Sequence, residues 1–312
     1  MAVQNVQRCA GQFVQSNEKM GVKMIKLIAS DLDGTLLNEH HVCSPKTVEM
    51  IKKAQKSGIR FMLATGRSFK QAEQLMDDAG IVCDYLVSSG AEVRNAQKEL
   101  IFSSHMSMKD CKMVYEVLKD DTIPFLFSTK DWDYCIGTPE ELEENVLEHI
   151  FAFSQSYSKE EIKKLPVYKK MMEKTKIVPD FATLEALELR IVKVFIFTNE
   201  LEKLAEIKEQ LIENKGLAVT SSFPNNLEIT DIGAQKGPVL KKYIESLGYT
   251  MEEVMVFGDS LNDYSMLSMD FGATIAMENA EETIKQVSMY VTKSNIEDGV
   301  AYAIEKLLQH QT

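Results

Sequence analysis

Between residues 24 and 93 the chain alternates short apolar segments with amphipathic ones, and this alternation is the strongest constraint on its fold. "MIKLIASDLDG" and "IRFMLATG" predict buried strands, and "SPKTVEMIKKAQKSG" between them predicts a helix that begins near Ser44 and ends at Gly58. A second helix, "SFKQAEQLMDDAG", leads to a third strand within "YLVSSGAEV". Strands joined through helices by such short connections predict a parallel sheet with right-handed crossovers.

The same alternation returns after residue 230, where "EVMVFGDS", "GATIAM" and "MYVT" predict strands and "KGPVLKKYIESLG", "NDYSMLSMD" and "AEETIKQVS" predict helices. Residues 106–230 differ, because aromatic and β-branched strands such as "RIVKVFIFTN" alternate there with charged helical stretches. That pattern is typical of an α+β unit with a sheet open on one face. We therefore expect a doubly wound, mostly parallel α/β core from residues 24–105 and 231–312, with residues 106–230 inserted as a second domain.

Residues 1–23 are glutamine-rich and aperiodic, and we expect them to be a disordered leader or an over-long start. The formal net charge of −12 argues against a nucleic-acid or membrane partner, since such surfaces select for an excess of Lys and Arg. No run approaches the roughly 18 apolar residues that a membrane helix needs. The five cysteines are odd in number and form no CxxC pair, which indicates reduced thiols in a cytoplasmic protein.

Two aspartates, Asp31 and Asp33, follow the first predicted strand and run into Gly34. Alternate side chains of an extended segment share a face, so both carboxylates could project into one space at the carboxyl end of the strand. Their mutual repulsion would make a divalent cation favourable there. A solvated turn is an equally good interpretation of this stretch alone, because Asp and Gly are common turn residues.

Three further stretches follow predicted strands or begin helices on the same edge. "LATGRS" offers the Thr65 hydroxyl, a close backbone approach at Gly66 and free amides at a helix start, all suited to a phosphate, although an ordinary helix cap fits too. "AQKGPV" places Lys236 at a helix start, where it could shield a phosphate from a carboxylate or remain solvated. "GDSLND" supplies Asp259, Asn262 and Asp263, whose oxygens suit Mg²⁺ but also suit caps and turns.

Taken together, these stretches closely resemble the motifs of the haloacid dehalogenase superfamily of phosphohydrolases. The resemblance extends from Met24 to the C-terminus through "SDLDGTLL", "LATGR", "AQKG", "FGDSLNDYSML", "AMENA" and "EDGVA". Within the superfamily it points to the Cof-like group, type IIB, which carries a large cap inserted between the second and third motifs. The inserted residues 106–230 would then be the cap that selects the substrate.

The resemblance implies a role for each matching residue. Asp31 would be the nucleophile, and Asp33 would be the general acid for the leaving alcohol and then the base for the hydrolytic water. Mg²⁺ would be held by Asp31, by the Asp33 backbone carbonyl and by Asp259. Asp263 would support these ligands without itself contacting the ion. The transferring phosphoryl group would be held by Leu32 through its backbone, Thr65, Gly66, Lys236 and Asn262.

The expected function is therefore Mg²⁺-dependent hydrolysis of small phosphorylated metabolites, with sugar phosphates as the leading class. Two alternatives remain open at this point: a phosphomutase-type transfer to another sugar hydroxyl, and a non-catalytic module that binds phosphate or regulates in response to it. One departure concerns Ser89-Gly90-Ala91, because the family often has Asn in place of Ser89. His149 lies in the insert and His105 directly precedes it, but a lone histidine is more often structural, and no cap residue is assigned.

Overall fold

A computed structural model describes residues 8–9, 24–119, 123–153 and 157–311. These residues divide into two units: a core unit, formed by the chain up to Ser103 together with the chain from Gly233 onward, and an inserted unit, Ser104–Ile232. The boundaries predicted at residues 105 and 231 lie within two residues of this division. In the described residues no helix is both long enough and apolar enough to cross a membrane.

The described residues form fifteen strands and twelve helices. The strands are β1 (Arg8–Cys9), β2 (Leu27–Ser30), β3 (Arg60–Ala64), β4 (Asp84–Val87), β5 (Glu92–Arg94), β6 (Leu100–Ser103), β7 (Phe125–Ser128), β8 (Asp133–Ile136), β9 (Thr175–Val178), β10 (Lys193–Phe197), β11 (Leu217–Thr220), β12 (Asn226–Asp231), β13 (Val254–Gly258), β14 (Ala273–Ala276) and β15 (Tyr290–Val291). The helices are α1 (Pro45–Lys56), α2 (Phe69–Ala79), α3 (Met108–Leu118), α4 (Pro139–Phe153), α5 (Lys159–Ile162), α6 (Pro166–Lys174), α7 (Phe181–Ala186), α8 (Leu201–Ile212), α9 (Lys236–Ser246), α10 (Tyr264–Leu267), α11 (Glu282–Val287) and α12 (Gly299–Gln311).

The core unit contains one nine-stranded sheet with the order β1-β15-β14-β13-β2-β3-β4-β5-β6. Its described strands pair in parallel, except that β5 is antiparallel to both β4 and β6. From β2 the chain proceeds through β3 to β4 on one side, and later from β13 through β14 to β15 on the other side. The predicted doubly wound, mostly parallel sheet is thus confirmed, and its topological switch point lies between β2 and β13, where such sheets bind ligands.

Burial explains why the central strands read as continuous apolar runs. All four residues of β2 and all five of β13 are buried, as expected for parallel strands covered on both faces. The helix predicted to begin near Ser44 is α1, and its start is capped because the Ser44 hydroxyl accepts a hydrogen bond from the Thr47 backbone N–H at 3.0 Å. The first half of the sheet therefore folds as its sequence predicts.

One predicted helix of the core unit needs correction, and the predicted leader is described only in part. The helix predicted over "NDYSMLSMD", residues 262–270, is present but shorter than expected: a 3₁₀ turn, Leu261–Asp263, leads into the four-residue α10, which ends at Leu267. The Asp263 carboxylate accepts hydrogen bonds from the backbone N–H groups of Asp259 and Ser260 and so caps the start of this segment. In the predicted leader, Arg8–Cys9 pairs in parallel with Tyr290–Val291. The rest of the leader lies outside the described residues.

The inserted unit contains a six-stranded sheet with the order β11-β12-β10-β7-β8-β9, in which only β8 and β9 pair in parallel among the described strands. Adjacent residues of one strand enter two separate apolar clusters, Phe127 with α3, α7 and α8, and Leu126 with α4 and α5. Since adjacent strand residues point to opposite faces, helices cover both faces of the sheet at this strand. The expectation of a sheet open on one face is therefore wrong at β7.

One titratable group of the inserted unit gives its stability a predictable pH dependence. The His149 ring lies 4.3 Å from the Phe197 ring and 5.5 Å from the Phe195 ring, measured between centroids. Burial, and then the nearby charge of Lys193, lowers the pKa of His149 from 6.5 to about 4. Between these two values the unfolded chain binds a proton that the folded chain does not, so stability falls as the pH falls.

We expect acidification from pH 6.5 to pH 4 to lower the free energy of unfolding by about 2–3 kcal/mol through this group. Urea unfolding across that range should show a shallower pH dependence for His149→Phe than for the unsubstituted protein, because phenylalanine keeps the ring contacts and does not titrate. Identical pH dependence in the two proteins would contradict the assignment.

Candidate active site

Lys236 is the most deeply buried cation of the core unit, and three oxygen acceptors surround it. Its Nζ atom donates to Asp31 Oδ1 at 2.6 Å, to Asp263 Oδ1 at 2.6 Å and to Asn262 Oδ1 at 3.2 Å. The Lys236 and Asp263 side chains are 0% exposed and that of Asp31 is 5% exposed. A charge this far from water is tolerated only when it is paired, so the lysine and the two carboxylates form one electrostatic unit.

Local backbone features bring these groups to one point. Asp31 directly follows β2 at the switch point, and its N–H donates to the carbonyl of Phe257 in β13 at 3.0 Å. Lys236 is the first residue of α9, and the next residue must be glycine, since a Cβ on Gly237 would lie 1.9 Å from the Ser265 carbonyl oxygen. The close approach of α9 to α10 therefore sets the position of the lysine.

Both oxygens of the Asp263 carboxylate accept hydrogen bonds, one from α9 and the other from the loop after β13. Oδ1 accepts from Lys236, while Oδ2 accepts the N–H of Asp259 at 2.9 Å and that of Ser260 at 3.2 Å. A Cβ on Gly258 would lie 2.5 Å from Asp263 Cγ, so only glycine permits this approach. Asp263 is thus fully engaged with the protein and organises the loop around it.

Asp259 is held from the opposite side by the turn after β2. The Thr35 hydroxyl donates to Asp259 Oδ1 at 2.6 Å. Gly34 has a φ of +79°, and a Cβ at this position would lie 2.4 Å from Asp259 Oδ2. The "DGT" stretch therefore contributes Asp33, and its Gly34 and Thr35 also contact Asp259 in the loop after β13.

The carboxylates of Asp31, Asp259 and Asp263 present oxygens that all lie within 4.8 Å of one another. Burial, and then the charge of Asp263, raises the pKa of Asp31 well above its usual value, although Lys236 opposes the shift. Burial and the charge of Asp263 likewise raise the pKa of Asp259 to about 7. Burial alone would lower the pKa of Lys236, but Asp263 and Asp31 raise it, so the lysine stays charged. With all three carboxylates ionised, the cluster carries more negative charge than one lysine neutralises, and a bound cation would stabilise that ionised form.

Asp33 is engaged differently from Asp31. Its carboxylate accepts two hydrogen bonds from Arg67, from Nε at 2.8 Å and from a terminal guanidinium nitrogen at 2.5 Å. Arg67 lies in the loop after β3, where its N–H donates to the Thr65 hydroxyl at 3.1 Å. The second aspartate is therefore linked to the loop that was predicted to bind phosphate.

The remaining predicted site residues lie at the same edge of the sheet. Thr65 directly follows β3, and Gly66 is the next residue of that loop. Leu32 begins the turn after Asp31, its side chain is buried in the apolar core, and its carbonyl accepts the Leu37 N–H at 2.9 Å. In the residues that the structure describes, no hydrogen bond joins Thr65 to Asp31 or to Lys236.

Hydrogen bonds thus bring together Asp31, Lys236, Asn262 and Asp263, and Asp259 joins them through the carboxylate cluster. Three residues that sequence reasoning did not assign take part as well: Thr35, Arg67 and Asn279, whose Nδ2 donates to the Gly34 carbonyl at 2.8 Å. The position of Thr35 inside "DGT" and that of Asn279 inside "AMENA" were the available signals. Arg67 stands in "LATGR", and in the structure it supports an acidic neighbour, Asp33.

Comparison with known proteins gives a consistent result. The family model described as haloacid dehalogenase-like hydrolase matches residues 28–304. A Bacillus subtilis protein, 5-amino-6-(5-phospho-D-ribitylamino)uracil phosphatase YwtE, is 32% identical over 287 residues, covering 92% of this chain and 99% of its own. The B. subtilis phosphatase YcsE, named for the same substrate, is 29% identical over 283 residues, covering 90% and 94% respectively.

A solved structure, a haloacid dehalogenase-like hydrolase from B. subtilis, superposes with a TM-score of 0.75 at 27% identity and covers 90% of this chain and 99% of its own. The family match spans the core unit and the inserted unit, and the relatives are matched over almost their whole length. The chain therefore belongs to the haloacid dehalogenase-like hydrolases and is a phosphatase.

Proposed function

We propose that this phosphatase hydrolyses small phosphorylated metabolites with Mg²⁺ through an aspartyl-phosphate on Asp31. The observation that carries the proposal is the buried Lys236 bridging Asp31 and Asp263 beside Asp259, at the switch point of the sheet. This constellation supplies a carboxylate nucleophile, a cation fixed beside it and oxygen ligands for a metal. Phosphoryl transfer needs little more than positioning and the neutralisation of charge on oxygen.

For the substrate we propose a phosphorylated sugar or sugar alcohol. Both B. subtilis relatives are named for a substrate with a phosphorylated ribityl chain, which is a sugar-alcohol phosphate. The inserted unit is proposed to act as the cap that selects among such compounds. Four cysteines, Cys43, Cys83, Cys111 and Cys135, are free thiols, which supports the proposed cytoplasmic location.

In the proposed first step, an oxygen of Asp31 attacks phosphorus while the bond from phosphorus to the ester oxygen breaks. Asp33 gives its proton to the departing alcohol oxygen. In the second step Asp33 takes a proton from water, whose oxygen attacks phosphorus and releases Asp31 and inorganic phosphate. Lys236 lowers the repulsion between the Asp31 carboxylate and the incoming phosphate because it remains charged beside both.

The phosphoryl oxygens are proposed to be held by Lys236, Asn262, the Thr65 hydroxyl and the backbone at Leu32 and Gly66. Asp31, Asp259 and the Asp33 backbone carbonyl are proposed to hold the Mg²⁺, and Asp263 keeps its loop in place. These ligands fit Mg²⁺, because all of them are oxygens and because the carboxylates, when ionised, carry excess negative charge. When bound, Mg²⁺ would neutralise charge that develops on the phosphoryl oxygens.

Removal of divalent metal should abolish turnover and restore the repulsion among the three carboxylates. We expect EDTA to reduce phosphate release below detection, and added Mg²⁺ to restore it and to raise the melting temperature in a saturable way, by the mass-action effect of a ligand that binds only the folded state. The rise in melting temperature with added Mg²⁺ should disappear in Asp259→Asn. Full activity after exhaustive chelation would contradict the metal site.

The experiment that tests the proposed function is a comparison of kcat/KM for sugar phosphates, sugar-alcohol phosphates, nucleotides and phosphorylated cofactors, with inorganic phosphate as the measured product. The proposal predicts the highest values for the sugar and sugar-alcohol phosphates. An isomeric sugar phosphate in place of free phosphate would show that the enzyme is a mutase, and no turnover on any compound would leave a binding module as the better interpretation.

A further inference from the structure

Arg67 and Asp33 form a two-pronged ion pair at the carboxyl edge of the core sheet. Both carboxylate oxygens of Asp33 accept from Arg67, at 2.8 and 2.5 Å, and the two side chains are 28% and 30% exposed respectively. A planar guanidinium that binds both oxygens fixes the plane of the carboxylate as well as its position. In the part of the chain that the structure describes, no other side chain is recorded as donating a hydrogen bond to Asp33.

Arg67 is itself held by a strained turn after β4. The Ser88 N–H donates to the Arg67 carbonyl at 2.8 Å, and the Ser89 N–H donates to the Thr65 carbonyl at 3.1 Å. Three consecutive residues of this turn have positive φ, namely Ser88 at +51°, Ser89 at +59° and Gly90 at +103°. Non-glycine residues rarely adopt this region, at a cost of about 1 kcal/mol or more each, and such strain persists where the surroundings impose it.

The turn therefore fixes the Thr65–Arg67 loop through two backbone hydrogen bonds, and Arg67 of that loop binds Asp33. A second two-pronged pair in the same sheet shows the contrast. Arg60 binds Asp84 through Nε at 3.0 Å and through a terminal nitrogen at 2.8 Å, but it stands at the start of β3, the edge opposite to the nucleophile. Its partner Asp84 is 1% exposed and Asp33 is 28% exposed, so only the Arg67 pair presents its carboxylate to the surroundings.

We propose that Arg67 is the positioning residue for Asp33, and that it fixes the orientation in which this carboxylate exchanges protons with the leaving oxygen and with water. The inference rests on the acid and base role proposed for Asp33. Because Asp33 lies on a turn whose backbone leaves helical geometry at Asp33 and at Gly34, the turn alone does not lock its side chain. The guanidinium supplies that constraint from a different segment of the chain.

The test measures kcat and KM for Arg67→Gln, Arg67→Lys, Asp33→Asn and the Asp33→Asn/Arg67→Gln double variant, with Mg²⁺ present. Each protein is assayed on p-nitrophenyl phosphate, whose leaving group departs without a proton, and on an alkyl phosphate, whose leaving group needs one. We expect Arg67→Gln to lower kcat by about 10²-fold on the alkyl ester and by clearly less on the aryl ester, with KM little changed. Lysine should restore part of the loss, since it keeps the charge without the fork.

The double variant decides the matter. If Arg67 acts through Asp33, its kcat should equal that of Asp33→Asn alone within about threefold. Additive losses, a raised KM with unchanged kcat, or equal losses on both esters together with a lowered melting temperature would each overturn the inference. Wild-type turnover in Asp33→Asn would instead overturn the role proposed for Asp33 and this inference with it. Arg60→Lys is the matched control, and below its melting temperature it should leave kcat on both esters unchanged.

Discussion

We expect replacement of Asp31 by Asn to abolish phosphate release and to leave the fold intact. We expect kcat to fall by about 10⁴-fold or more, because an amide oxygen is a poor nucleophile and forms no acyl-phosphate. The shape of the side chain is kept, and Lys236 retains Asp263 as a buried counter-charge. Since burial disfavours the ionised form of Asp31, removing its charge should not lower the melting temperature.

The matched control for this variant is Asp84→Asn. Asp84 is also a buried aspartate of the core sheet paired with a cation, but Arg60 is its partner and it lies away from the carboxylate cluster. We expect this change to lower the melting temperature while kcat below that temperature stays near the wild-type value. Wild-type activity in Asp31→Asn would show that another residue is the nucleophile.

Replacing Lys236 by Met has the largest expected effect on stability. The substitution leaves the buried carboxylates of Asp31 and Asp263 without their shared cation, and breaking a buried pair in this way costs about 3–5 kcal/mol. We also expect kcat to fall by about 10³-fold, because the incoming phosphate then meets an unshielded carboxylate. Denaturant unfolding without metal and steady-state kinetics with Mg²⁺ measure the two effects separately.

Lys241→Met on the same helix α9 is the control for this substitution. The Lys241 side chain is 46% exposed and its ion pair with Glu245 has an N–O distance of 3.9 Å, so we expect a change of less than about 0.5 kcal/mol and no loss of activity. If Lys236→Met unfolded at the same denaturant concentration as wild type, the buried lysine would not be the counter-charge described above.

The parts of the site that follow directly from strand order could be predicted from the sequence. Asp31, Thr65 and Asp259 each come directly after a buried strand, and the carboxyl ends of parallel strands share one edge. A lysine and a glycine at the start of a helix completed the pattern. These inferences needed only local apolar runs and the rules for connecting parallel strands.

Other features of the site depend on contacts between segments that are distant in the sequence, so they could not be predicted from local patterns. The pairing of Arg67 with Asp33 and the donation from Thr35 to Asp259 join segments separated by 34 and 224 residues. The left-handed backbone at Ser88 and Ser89 contradicts the local preference of serine, and it exists because their N–H groups bind the loop after β3. The "NDYSMLSMD" helix was over-predicted in length only, since it ends at Leu267.

The central claim is the covalent aspartyl-phosphate, and trapping it is the most direct test. Asp33→Asn should still accept a phosphoryl group from p-nitrophenyl phosphate, but without its base it should release that group slowly. In rapid mixing with Mg²⁺ we predict a burst of nitrophenolate equal to the enzyme concentration. After acid quenching, mass spectrometry should find phosphate on the tryptic peptide that contains Asp31, residues 27–46. The absence of both burst and phosphopeptide, or phosphate on any other residue, would contradict the mechanism.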